Sequence, residues 1–150
     1  MHVTSRSVEE TRSIGAAEAK ETQPGDIFAL IGELGAGKTE FVRGFAACCS
    51  PDARVQSPSF TILKIYEAPL FPIYHFDFYR LSHSDELIEI GFADYIDSDG
   101  VCLIEWADKF PGVIPARAKT IRFSLSRPEK ATAVPQSPSR IIELQQSGRY

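Results

Sequence analysis

The chain has 150 residues, 43% of them hydrophobic, and a net charge of −4. That length predicts one domain over residues 1–150, with a core large enough to fold without disulfide or metal staples. The 16 lysines and arginines are scattered rather than gathered into a stripe, which argues against strong independent binding to nucleic acid, and no apolar run nears the ~18 residues of a membrane span.

The three cysteines, Cys48, Cys49 and Cys102, lack metal-ligand spacing and read as small core residues in a reducing compartment. Glu9 and Glu10 stand where a signal peptide would be apolar, so a cytoplasmic, membrane-free protein is expected.

Along the chain, Ser7-Val8-Glu9-Glu10 is a capping box that predicts a helix through about Glu21, stopped by Thr22-Gln23-Pro24-Gly25. Asp26 to Ile31 is the continuous apolar run of a strand buried on both faces of a parallel sheet. Gly-Glu-Leu-Gly-Ala-Gly-Lys-Thr follows at 32–39, the phosphate-binding P-loop pattern. Behind it Phe41, Val42, Phe45, Ala46 and Cys49 recur at helical spacing until Ser50-Pro51. Strand, glycine loop and helix therefore come in the order the motif requires.

The pattern has a mechanism. Glycines allow backbone conformations in which successive amides point into one concavity, and the helix start adds its orphan N–H groups and partial positive charge. Glu33, Leu34, Gly35, Ala36, Gly37, Lys38, Thr39 and Glu40 are thus the expected cradle for a nucleoside triphosphate. Lys38 adds a point charge to the terminal phosphates, and the Thr39 hydroxyl is placed to ligate magnesium. Glu40 puts a negative charge in the first helical turn and is expected to face away from the phosphates.

Val55 to Ser59 reads as a polar connection, Phe60 to Tyr66 as a strand, and Ile73 to Tyr79 as an aromatic-rich strand forming a hairpin with it. Ser84 to Ile90 predicts a short helix stopped at Gly91, and Phe92 to Ile96 a further turn or so. Val101 to Trp106 is a buried strand that ends in a carboxylate. Thr120 to Ser126 and Arg140 to Leu144 complete the strands, with 127–139 a surface loop or hairpin tip between them. The fold expected is α/β, a P-loop NTPase-like three-layer α/β/α arrangement on a mixed, mainly parallel central sheet of six or seven strands.

Phosphate chemistry needs more than a cradle. Glu105 closes a hydrophobic strand at the end where open α/β sheets bind ligands, so it reads as the acidic residue for magnesium and hydrolysis. Asp77, in His75-Phe76-Asp77-Phe78-Tyr79-Arg80, disfavours the strand it sits in, and ligating magnesium would supply its reason, although an exposed ion pair with Arg80 is equally open from the residues alone. His75 and Tyr79 share the face of Asp77 by strand periodicity. These residues admit three classes: a regulatory ATPase acting on proteins, a small-molecule or nucleotide kinase, and a non-hydrolysing nucleotide-binding adaptor. No arginine-rich lid follows the P-loop, which disfavours the kinase, and the chain holds no asparagine for a guanine-reading Asn-Lys-x-Asp motif.

The P-loop at 32–39, Ser-Pro-Ser-Phe-Thr at 57–61, His-Phe-Asp-Phe-Tyr-Arg at 75–80 and Leu-Ile-Glu-Trp at 103–106 together resemble, in order and spacing, the signatures of the TsaE (YjeE) family of small bacterial ATPases. The resemblance runs from about Ser7 to Trp106. It implies an ATPase that uses ATP and magnesium to keep a partner complex of the TsaD and TsaB proteins turning over while that complex installs threonylcarbamoyladenosine on tRNA beside the anticodon. Turnover alone is expected to be slow, because no arginine other than Arg80 is poised to stabilise the transition state in cis. The tRNA would be met only through the complex. By position, Lys38 would bind phosphates, Thr39 and Asp77 would serve magnesium, and Glu105 would act in hydrolysis beside Trp106. Ser57 to Thr61 would be a nucleotide-responsive switch with Thr61 near the metal, and His75 and Arg80 would support the site. Ser59, Glu40 and Ala107-Asp108 depart from the family pattern.

Overall fold

The computed structural model describes residues 1–126 and 138–145. Its elements run β1 (His2–Ser5), α1 (Val8–Glu21), β2 (Ile27–Gly32), α2 (Lys38–Cys49), β3 (Leu63–Tyr66), β4 (Ile73–Asp77), α3 (Asp85–Glu89), α4 (Phe92–Ile96), β5 (Val101–Glu105), β6 (Lys119–Ser126) and β7 (Ser139–Gln145). Two single 3₁₀ turns, Ala107–Lys109 and Pro111–Val113, follow β5. The loop expected over 127–139 lies, up to residue 137, outside the described residues.

The seven strands form one sheet in the order β1-β7-β6-β2-β5-β4-β3. Its middle four strands, β6, β2, β5 and β4, are mutually parallel, and antiparallel pairs close both edges. The sheet is thus mixed around a parallel centre, as the unbroken apolar runs of β2 and β5 require. Strand alternation divides the core in two. Phe28 and Leu30 of β2 face α1 and α2, with Phe41 and Phe45, while Ile27 and Ala29 face α3 and α4, with Leu87, Phe92 and Ile96. Helices on both faces make three layers.

Helix α1 starts as its capping box predicts, with one variation. The Ser7 hydroxyl accepts from the Glu10 amide at 3.0 Å, but the Glu10 carboxylate reaches back to the Arg6 amide at 2.6 Å rather than to that of Ser7. Several boundaries differ from expectation. Phe60 to Ile62 form a turn and not the start of β3, because the Ile62 amide closes onto the Pro58 carbonyl at 2.7 Å and Ile62 takes φ 68°. Strand β4 ends at Asp77, so Tyr79 does not share its periodicity. Of the cysteines, only Cys102 is buried; Cys48 is exposed on the outer side of α2. No described helix is long and apolar enough to cross a membrane.

Candidate functional site

The parallel centre of the sheet brings the site together. Strands β2, β5 and β4 all end on the same edge, and their registers pair Leu30 with Glu105 and Glu105 with Asp77. Two carboxylates therefore stand side by side immediately beyond the core, on the face covered by α2. Both are 3% exposed. The P-loop leaves β2 at the same edge and turns into α2, with Gly35 at φ 78° and Gly37 at φ 109°, conformations that side chains rarely adopt.

Lys38 is folded inward. Its ammonium donates to the carbonyls of Gly32 and Glu33 at 2.5 and 2.9 Å and lies 4.1 Å from the centre of the Trp106 ring. Burial pushes its pKa down, and the Glu105 and Asp77 charges work against that shift. The Thr39 hydroxyl donates toward Glu105, 2.9 Å from Oε1 and 3.1 Å from Oε2. Glu105 Oε1 also meets His75 Nε2 at 2.8 Å, and His75 is fully buried.

Asp77 is not paired with Arg80. Its Oδ2 accepts from the Ser57 hydroxyl and its Oδ1 from the Tyr79 amide, each at 2.9 Å. Burial raises its carboxyl pKa; the Tyr79 amide opposes the shift and the neighbouring Glu105 charge adds to it. Arg80 instead lies over the exposed Phe60 ring at 3.9 Å. The Glu40 carboxylate is held by Arg12 at 2.7 Å and by Arg43, although the residue also lines the cavity beside the P-loop.

These groups line a cavity of about 550 Å³. Lys38, Thr39, Asp77, Glu105, Trp106, Arg80 and Ser57 all reach it, with the loop residues Leu34, Gly35 and Gly37. Thr61 is exposed and is not among its walls; Ser59 is. The site also holds residues that the sequence did not mark. Arg140 of β7 crosses above Gly37, and its Nε has no hydrogen-bond partner among the described residues. Tyr66, at the end of β3, bonds His75 Nδ1 at 3.0 Å. Neither belongs to a sequence motif: the β3–β4 hairpin register delivers Tyr66, and the place of β7 in the sheet delivers Arg140. Trp106 takes φ 58°, a left-handed conformation that costs a bulky residue on the order of 1–3 kcal/mol, and this turns its ring over Lys38 and against Tyr79 at 4.9 Å.

A parallel-centred three-layer fold with a glycine loop running from its middle strand into a helix, and acidic residues on the adjacent strand ends, defines a P-loop NTPase-like α/β protein. Comparison with known proteins narrows the class. The family model described as "Threonylcarbamoyl adenosine biosynthesis protein TsaE" matches residues 5–134. The chain belongs to the TsaE family. It is 43% identical to the Bacillus subtilis tRNA threonylcarbamoyladenosine biosynthesis protein TsaE over 107 residues, 71% of this chain and 66% of that one. The TsaE of Haemophilus influenzae is 43% identical over 57% of this chain and 54% of its own length, and that of Treponema pallidum 35% over 81% and 89%. The matched stretch thus spans about two thirds or less of the first two relatives. The crystal structure of Bacillus subtilis YdiB superposes with a TM-score of 0.79 at 31% identity, covering 99% of this chain and 86% of that one.

Proposed function

We propose that this protein binds ATP with magnesium and hydrolyses it, slowly on its own, in the cytoplasm, in support of a TsaD–TsaB complex that installs threonylcarbamoyladenosine on tRNA next to the anticodon. The tRNA is met only through that complex. The pathway follows from family membership, and the hydrolytic reading rests on one observation: the P-loop hydroxyl of Thr39 hydrogen-bonds Glu105, which the sheet register sets beside Asp77.

The amides of residues 33–40 cradle the phosphates at the start of α2. Lys38 already points into the loop, and its present acceptors are neutral carbonyls, over which phosphate oxygens win because both partners are then charged. Thr39, Glu105 and Asp77 are hard oxygen donors and too few to form a closed cage, a set that suits magnesium shared with phosphates. Bound there, magnesium would neutralise charge on the transferred phosphoryl group. Glu105 orients the attacking water and accepts its proton. Arg80 reaches the cavity, but its guanidinium is stacked on Phe60 rather than bonded to the P-loop, which supports slow turnover without a partner. The test is a pair of variants. Lys38→Ala loses nucleotide binding, whereas Glu105→Ala binds ATP and does not hydrolyse it; a Glu105→Ala protein of full activity would remove the assignment.

A further inference from the structure

We propose that His75 and Tyr66 are positioning residues for Glu105, and that Tyr66 acts by fixing which imidazole nitrogen carries the proton. The inference rests on the hydrolytic reading above and extends it to a path through the core.

A fully buried histidine needs a partner for each ring nitrogen, and this one has Glu105 Oε1 at 2.8 Å from Nε2 and the Tyr66 hydroxyl at 3.0 Å from Nδ1. In a neutral imidazole one nitrogen donates and the other accepts. A carboxylate only accepts, so the contact with Glu105 requires a proton on Nε2, and in the neutral ring Nδ1 then receives the Tyr66 hydrogen. Tyr66 can give it, because burial pushes its pKa to about 12 and keeps the hydroxyl protonated. The same hydroxyl is also placed to donate to the Gln56 carbonyl, within hydrogen-bond distance at 3.3 Å. One hydrogen cannot serve both acceptors. In the neutral ring, a Tyr66 hydrogen given to Gln56 would make Nδ1 the donor and leave Nε2 presenting a bare lone pair to Glu105.

The neighbour of Gln56 is Ser57, which holds Asp77. Two adjacent residues of one connection therefore touch both carboxylates, Ser57 directly and Gln56 through Tyr66 and His75. Movement of residues 56–57 toward or away from the sheet acts on Asp77 and Glu105 together. A histidine retained only for packing would have no such dependence on Tyr66.

The experiment combines imidazole ¹⁵N NMR with ATP turnover on the full chain. The wild type should show the Nε2–H tautomer at His75, and Tyr66→Phe should give a mixture of tautomers. His75→Leu should lower kcat about tenfold or more with nucleotide affinity kept, since carboxylate-orienting partners act on that scale. His75→Gln, whose amide reaches Glu105 as Nε2 does, should recover most of the loss, and Tyr66→Phe should cost roughly three- to tenfold in kcat. An Nδ1–H tautomer or a doubly protonated ring in the wild type, His75→Leu at wild-type kcat, or no recovery in a folded His75→Gln protein that still binds nucleotide would each overturn the relay. Wild-type protein that turns over no ATP, alone or with the TsaD–TsaB complex, would overturn the hydrolytic reading instead, and the tautomer result is read without it.

Discussion

Asp77 and Glu105 stand next to each other in adjacent parallel strands, nearly out of reach of water. Burial and the Glu105 charge raise the Asp77 pKa, so the folded state disfavours its ionised form. A raised carboxyl costs stability above its folded pKa, and the cost disappears below the ordinary value of 3.8. Asp77→Asn keeps the shape and the bonds to Ser57 and the Tyr79 amide. It should therefore melt roughly 2–5 °C higher than wild type near neutral pH, with that gap narrowing as the pH falls, while losing magnesium-dependent turnover. Thermal melts across pH check the sign. The thiols give a second expectation at this scale: Cys48 should react first with a thiol reagent, Cys49 more slowly, and Cys102, raised by burial to about 12, only on unfolding. Mass spectrometry of labelled peptides gives the order. Lys38, Thr39, Asp77 and Glu105 were legible in the sequence because each ends or follows an apolar run at a motif position. Tyr66 and Arg140 were not, because Tyr66 meets His75 only through the register of the β3–β4 hairpin and Arg140 reaches the cavity only through the placement of β7 in the sheet.

Helices α1 and α2 meet through their smallest residues. A Cβ on Gly44 would fall 1.9 Å from the Arg12 carbonyl, and one on Gly15 would fall 2.1 Å from that of Phe41. Backbone cannot move aside as a flexible side chain does, so Gly44→Ala and Gly15→Ala should each destabilise by about 1–3 kcal/mol, against the usual gain of alanine in a helix. Chemical denaturation measures this directly. Helix spacing and caps made α1 and α2 readable, and Gly91, at φ 73°, marks the break between α3 and α4 as expected. Strand β1 was missed because His2 to Ser5 has no apolar alternation and exists by pairing with β7. Phe60 to Ile62 read as strand by composition, yet the turn that follows Pro58 overrides that preference.

At the scale of the whole molecule, the parallel centre of the sheet explains both the core and the site. Four parallel strands need cover on both faces, which α1 with α2 and α3 with α4 provide, and their shared edge gathers the P-loop, Asp77 and Glu105. The fold class was readable because buried parallel strands and a glycine loop leave strong local patterns. Of the antiparallel edges, the β3–β4 hairpin was readable from two neighbouring strand runs and β6 with β7 as strands joined by a loop or hairpin tip, whereas β1 beside β7 depends on long-range pairing and was not. The central claim is that this assembly is an ATPase driven by a protein partner, and ATP hydrolysis with magnesium, measured alone and then with the TsaD–TsaB complex, tests it most directly. Slow basal turnover that the complex accelerates, lost in Glu105→Ala while ATP still binds, is the result expected. Rapid turnover indifferent to the complex, or phosphate transferred to a small metabolite, would contradict it.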